Sequence, residues 1–150
     1  MEAAIARLWG WREHIIVPNV SWGMSLNHEC DLLIVRKSHE AVEVEIKTSI
    51  SDLKADLLKP HRHKSMMIKE LWFAVPEYIF AKAFDIIPEH AGIIAVRKRG
   101  DGWCIATRER SPKRKKPNEY RKLTDKEVIN LGRLGCMRIW SQAANKRFKA

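Results

Sequence analysis

Residues 30–49, CDLLIVRKSHEAVEVEIKTS, decide how the rest of the chain is read. Residues 31–35 are apolar after the first, and residues 41–47 alternate strictly, so both read as strands joined by the polar turn of residues 36–40. Side chains alternate faces along a strand, which sends Val42, Val44 and Ile46 to a core and leaves Glu43, Glu45 and Lys47 on the opposite face. Paired as a hairpin, the two strands bring Asp31 beside Glu45 and Lys47. A carboxylate pair with an adjacent amine is the result.

Two carboxylates held a few ångströms apart repel each other, and a divalent cation relieves that repulsion while keeping positions free for water and a phosphate oxygen. Mg²⁺, or Mn²⁺ in its place, is the natural occupant. A lysine on the same face can orient or help deprotonate the attacking water and offset charge on the phosphorane. The bland alternative is a solvated polar face on a half-exposed strand. Asp31 argues against it, because a carboxylate opening an otherwise apolar strand is not there for strand propensity.

Asp31 followed fourteen residues later by Glu45-Ile46-Lys47 resembles the D…(D/E)-x-K core of the PD-(D/E)XK nuclease superfamily. The run EIKTSISDLKADLLK, then LWFAVPEY and IPEHAGIIAV, is similar to the bacterial MmcB-like proteins associated with DNA repair, and the likeness covers roughly residues 5–96. The resemblance implies a restriction-endonuclease-like fold, with Asp31 and Glu45 as metal ligands, the main-chain carbonyl of Ile46 as a third, and Lys47 as the catalytic lysine. Cys30 stands where the superfamily's name has proline. Many members also carry a glutamate on the first helix, for which Glu2 and Glu13 are the candidates here.

The remaining chain is compatible with one domain of 150 residues. A net charge of +10 calls for a polyanionic partner, with nucleic acid ahead of an anionic membrane surface and DNA ahead of RNA. No apolar run reaches membrane-spanning length, and the charged N-terminus is unlike a signal peptide, so the expected location is the cytoplasm. Cys30, Cys104 and Cys136 are too few and too scattered for a disulfide framework or a structural zinc site.

Outward from the hairpin, residues 2–9 read as a helix stopped by Gly10, and residues 14–17 as a strand before Pro18. His28 and Glu29, just before Asp31, would cap the strand or reach substrate. Ser49 starts a helix with Leu53, Leu57 and Leu58 as its apolar stripe, and Ser49 either caps that helix or hydrogen-bonds substrate. His61, Arg62, His63 and Lys64 follow Pro60 and are read as phosphate contacts or a solvated loop, since His-x-His lacks a third metal ligand at useful spacing.

Residues 71–75, LWFAV, form a continuous apolar run for the middle of the sheet. Pro76 opens a helix reaching about Phe84, and residues 92–98 and 103–108 form a hairpin. Residues 108–122 hold eight basic and two acidic side chains with two prolines, a composition that predicts a mobile basic loop, with Lys113, Arg114, Lys115 and Lys116 touching phosphates. Thr124 to Glu127 is a capping box that opens a last helix to about residue 145.

This order argues for an α/β (α+β) domain with a mixed central sheet flanked by helices. The expected function is metal-dependent hydrolysis of DNA phosphodiesters in repair or recombination. The alternatives are a nuclease-fold DNA-binding module without activity, and a basic RNA-binding protein. A homodimer would suit double-strand cutting, although no surface in the sequence requires one.

Overall fold

Apolar alternation on six short segments builds one mixed sheet, and the helices that cover it come from the stretches where the period changes. The computed structural model describes residues 1–22, 26, 28–60 and 63–147. The elements are α1 (Glu2–Trp9), β1 (Ile15–Val20), β2 (Cys30–Val35), β3 (Ala41–Ile46), α2 (Ile50–Leu57), β4 (Ile68–Pro76), α3 (Phe80–Ile86), β5 (Gly92–Lys98), β6 (Cys104–Arg110) and α4 (Asp125–Arg147). The strands lie in chain order, β1 to β6. β3, β4 and β5 are parallel, joined by crossovers through α2 and α3, while β1, β2 and β6 pair antiparallel at the flanks. This is the mixed α/β architecture expected from the sequence.

One face of the sheet is covered by α1, where Ile5 and Trp9 join Leu32, Ile34, Val42, Val44 and Trp72. The other face carries two separate apolar clusters. On the β1–β2 side Leu131 and Leu134 of α4 pack with Val17, Leu33 and Val35. On the β4–β5 side Leu53 of α2 and Ala83 of α3 pack with Phe73, Val75 and Ile93. Between the two clusters runs β3, whose side chains on this face beyond Ala41 are Glu43 and Glu45, and both are buried. Two crossover helices and α4 therefore enclose a strip of charge.

Local signals set most boundaries. Gly10 ends α1 at φ 81°, a left-handed conformation that a side chain would resist. Gly92 opens β5 against the Trp72 ring, where an added Cβ would lie 2.5 Å from a ring carbon. Ser49 caps α2 by accepting the Asp52 N–H at 3.1 Å. Thr124 and Glu127 form the reciprocal box at the head of α4, Glu127 N–H to Thr124 Oγ1 at 3.3 Å and Thr124 N–H to Glu127 Oε2 at 2.8 Å.

Three expectations need correction. β1 runs through Pro18 to Val20 and does not stop before the proline, because an edge strand tolerates the missing N–H. Pro76 closes β4 in extended backbone, and a single 3₁₀ turn, Glu77–Ile79, precedes α3. The strand read over residues 103–108 runs on to Arg110, so Glu109 and Arg110, which composition assigns to the basic loop, belong to β6.

The rest of that basic segment is tied to its surroundings. The Lys113 N–H bonds the His90 carbonyl at 3.0 Å, the Arg121 N–H the Met66 carbonyl at 2.7 Å, and the Leu123 N–H the His39 carbonyl at 2.9 Å. Among the described residues, no helix is long and apolar enough to cross a membrane.

Glu40 in the β2–β3 turn is the anchor. It accepts from Lys69 Nζ at 2.7 Å, from the Tyr120 hydroxyl at 2.9 Å and from Ser38 Oγ at 3.1 Å. The Lys69 bond, against the opposing effect of burial and with help from Tyr120 and Ser38, holds Glu40 down at about 2. A lowered folded-state value means that the stabilisation is present above the ordinary 4.5 and is lost as the pH falls through about 2. Solvent screens part of this interaction, so Glu40→Gln should lower stability by about 1 kcal/mol at neutral pH in urea unfolding, with the deficit shrinking as the solution is acidified. A deficit independent of pH would show that charge is not what Glu40 contributes.

Candidate active site

Hairpin register brings the first three groups together. Leu32 pairs with Val44, which sets Asp31 opposite Glu45 at the open end of the β2–β3 ladder. The two carboxylates are fixed by crossed bonds: the Ile46 N–H donates to Asp31 Oδ2 at 2.7 Å, and the Asp31 N–H to Glu45 Oε1 at 3.4 Å. Lys47 Nζ lies 2.7 Å from Glu45 Oε2 and 3.6 Å from Asp31 Oδ2. The Lys47 and Glu45 side chains are buried, whereas Asp31 is 36% exposed, so the group opens to solvent on the Asp31 side.

Beneath this group lies a second set, in which Glu43 and Asp56 join two histidines read from the sequence as substrate, strand-cap or phosphate contacts. Glu43 has no exposed surface, and its Oε1 lies 2.6 Å from His28 Nε2 and 2.7 Å from His63 Nδ1. The other nitrogen of His63, Nε2, lies 2.6 Å from Asp56 Oδ2. Asp56 Oδ1 in turn lies 3.1 Å from Lys47 Nζ and 2.5 Å from Lys59 Nζ. A continuous chain of charges thus runs from Glu43 through His63, Asp56 and Lys47 to Glu45. His63 reaches it from a left-handed backbone position, φ 51°.

The protonation states follow from these neighbours. Burial works against an imidazolium at His63, but the carboxylates of Asp56 and Glu43 outweigh it and raise the group to about 9. Burial also opposes the charge on Asp56, yet His63, Lys59 and Lys47 hold it well below the usual carboxylate range. Glu43 is likewise held low by His28 and His63 in spite of its burial. Glu45 goes the other way, raised to about 8 by burial and then by the charge of Glu43, against the pull of Lys47. Burial disfavours the Lys47 ammonium, but Glu45 and Asp56 keep it charged beyond its ordinary range.

Among the described residues, two groups of three side chains bring their ligand atoms close together. Glu43, Glu45 and His63 place ligand atoms within 4.8 Å of one another, as do His28, Cys30 and Glu43. His63 held as a cation between two carboxylates has no lone pair to offer. The Cys30 thiol is pushed far up by burial and then by Glu43 and Glu45, so it is no thiolate ligand. Asp31 with Glu45 remains the pair suited to a hard divalent ion, being all oxygen and open on one side.

Other candidate residues fall elsewhere. Glu2 and Glu13 are exposed, and α1 packs on the face of the sheet opposite Glu45, so neither is a further acid of this site. The additional buried acids at this site are Glu43 and Asp56. Ser49 caps α2 and also lies 2.9 Å from Ser51 Oγ. His61 and Arg62 lie outside the described residues. His63, expected at a phosphate, is instead turned inward, because its two nitrogens are needed between Glu43 and Asp56. Lys64, Lys113, Arg114 and Lys116 are exposed, and Lys115 is half-buried.

Asp56 escapes a reading in which Leu53, Leu57 and Leu58 make the inner face of α2. Leu58 is 85% exposed, and Asp56 is buried. The spacing Leu53, Asp56, Leu57 is i, i+3, i+4, which already places Asp56 on the inner face.

Asp56→Asn should lower the His63 titration by at least about one unit, read by NMR of its ring proton, since one of the two carboxylates loses its charge. A raised histidine stabilises fully below its unfolded value of 6.5, and that contribution is lost as the pH rises through about 9. The alkaline loss of stability should accordingly shift to lower pH in the variant. An unchanged titration would mean that Glu43 alone holds the proton.

A family model described as DNA repair protein MmcB-like matches residues 2–143. Among solved structures, the chain is similar to a protein of unknown function from Silicibacter pomeroyi at 15% identity and a TM-score of 0.63, covering 96% of this chain and 86% of that one. At that identity the likeness shows the fold alone. No curated protein matches the chain.

Proposed function

Since the chain belongs to the MmcB-like family of DNA repair proteins, we propose that it is a divalent-metal-dependent nuclease that hydrolyses DNA phosphodiester bonds in repair or recombination. The observation that carries this reading is the crossed pairing of Asp31 and Glu45, each carboxylate bonded to a backbone N–H at or beside the other residue, with the Lys47 ammonium within 4 Å of both. A strand that merely presented a polar face to solvent would not bury Glu45 and Lys47.

The donor set fits Mg²⁺ or Mn²⁺ in its chemistry: two all-oxygen ligands that share one lysine, in a site open on the Asp31 side. Asp31 and Glu45 would hold the ion, with the Ile46 carbonyl as a third oxygen. Such an ion, when bound, supplies Lewis acidity at a phosphoryl oxygen and lowers the pKa of attacking water. Lys47 is fixed by Glu45 on one side and Asp56 on the other, so its part is to donate hydrogen bonds to charge that develops on the phosphate. Lys113 and Arg114, exposed on the basic segment, position the DNA backbone as point charges and carry no sequence information.

A second reading, a DNA-binding module without cleavage, is favoured by one observation. The carboxylates of Asp31, Glu43, Glu45 and Asp56 are matched by cations the chain supplies itself, Lys47, Lys59 and His63. A site so nearly balanced draws a metal less strongly than a bare acidic cluster does.

The test is cleavage of a panel of labelled DNA and RNA structures with Mg²⁺ or Mn²⁺, using wild type, Glu45→Gln and Lys47→Met. Metal-dependent cutting of DNA should fall by about a hundredfold or more in both variants, while DNA binding changes by less than about twofold. No cutting of any substrate, with salt-sensitive binding retained, selects the second reading.

Neutralising Lys113 and Arg114 should act on binding instead, lowering the salt slope by about 0.9 for each duplex phosphate that no longer meets a cation. Equal loss of binding in the two classes of variant would refute this division of roles.

A further inference from the structure

His63 belongs to two environments, because the ring that bonds Glu43 also lines a cavity of about 610 Å³. That volume lies within the range of small-ligand sites, roughly 300–1,000 Å³. One wall is apolar, made by Leu57 of α2, Ile68, Leu71 and Phe73 of β4, and Pro88. The rest is basic. Lys64, Lys113 and Arg114 are exposed at its border, Lys69 and Lys115 are half-buried, and Glu119 is the single acid among the lining residues.

Two of these cations, Lys113 and Lys115, are incompletely matched within the chain. Lys113 meets Glu89 at 3.1 Å where both side chains are largely in solvent, an arrangement of little energetic weight. Lys115 makes no ion pair among the described residues, and its ammonium donates to the Ser65 carbonyl at 2.6 Å. Burial lowers its pKa. His90, in the same lining, is held low by burial and by Lys113 and Lys115, which reports the positive field there. A half-buried ammonium that bonds a carbonyl and feels Glu43 and Glu119 only at a distance, with no ion pair among the described residues, keeps capacity for an anion.

The cavity also has a fixed relation to the acids. In the parallel β3–β4 ladder Glu43 pairs with Leu71 and Glu45 with Phe73. The apolar wall therefore stands one strand away, about 4.8 Å, from the row of carboxylates.

We propose that this cavity receives one unpaired nucleotide of a DNA strand, its base against Leu57, Leu71 and Pro88 and its phosphate on Lys115 and the neighbouring cations. Apolar walls with a cationic border match a base joined to a phosphate, and match neither a bare polyanion nor an apolar molecule. A duplex cannot enter, because its bases are stacked inside the helix and only a strand end, a gap or an extruded base presents one singly. The proposal rests on the nuclease reading in one respect only, that the nucleotide would lie beside the bond to be cut. The substrate class is then DNA with an unpaired nucleotide at the site of cleavage.

The test is direct binding of the full chain, in EDTA, to a single-stranded DNA carrying 2-aminopurine at its centre, compared with the same strand in a duplex and with the RNA strand of that sequence. Lys115→Met removes the anion contact, Leu57→Trp fills the cavity, and Lys98→Met changes an exposed cation outside it. Wild type should bind the single DNA strand at least about tenfold more tightly than the duplex at equal salt, with about tenfold loss in Lys115→Met and Leu57→Trp and no loss in Lys98→Met. If Leu57→Trp does not fold, Lys115→Met decides. Equal or tighter duplex binding, preference for the RNA strand, or wild-type affinity in Lys115→Met would overturn the proposal. Because no metal is present, Lys115-dependent binding by a protein that cuts nothing sinks the nuclease reading and leaves the cavity's role standing, whereas cutting without cavity-dependent binding does the reverse.

Discussion

An ionised carboxylate with no exposed surface costs several kcal/mol unless it is paired, and Glu43 sits in that position on an inner strand of the sheet. Two imidazoles meet the requirement, and they come from distant parts of the chain. His28 precedes β2, and His63 follows α2. Pairing Glu43 therefore draws both segments onto β3 and fixes the floor of the site. His63 passes the constraint to Asp56, Asp56 to Lys47, and Lys47 to Glu45, so the catalytic candidates are held by a network whose members act as one unit and not as independent residues.

The fold provides room for that network by splitting one of its cores. On the α1 face the apolar contacts run unbroken across the middle strands. On the other face α4 packs at the β1–β2 edge while α2 and α3 pack over β4 and β5, and the acids of β3 occupy the seam. The seam coincides with the change from antiparallel to parallel pairing, β2 with β3 on one side and β3 with β4 on the other.

Charge is divided in the same way. The chain carries +10 overall, yet its buried ionisable groups are mostly acids balanced in place, Glu70 by Arg36 and the others by Lys47, Lys59 and His63. The surplus of cations is at the surface, with Lys64, Lys113 and Arg114 around the cavity next to the acids. A polyanion is attracted by the surface charge and meets the carboxylates only where Asp31 opens to solvent.

Period-two alternation in residues 41–47 and the apolar run of residues 71–75 are enough to define β3 and β4, and the hairpin of β2 with β3 is enough to place Asp31 beside Glu45 and Lys47. Strand periodicity fixes which face a residue occupies, and a short hairpin fixes which residue lies opposite, so this much is local information. Gly10, Ser49 and Thr124 mark helix ends for the same reason, since caps are chemistry within one turn. Alternation also puts Glu43 on the acidic face, but it does not say whether that face meets water or protein, and here it meets His28 and His63. Asp56 and His63 lie 11 and 18 residues beyond Glu45 in the chain and reach the site only after the α2 crossover folds back over β3. Pairing of buried charges between segments that far apart depends on where helices pack, a property of the assembled sheet that no window of sequence contains.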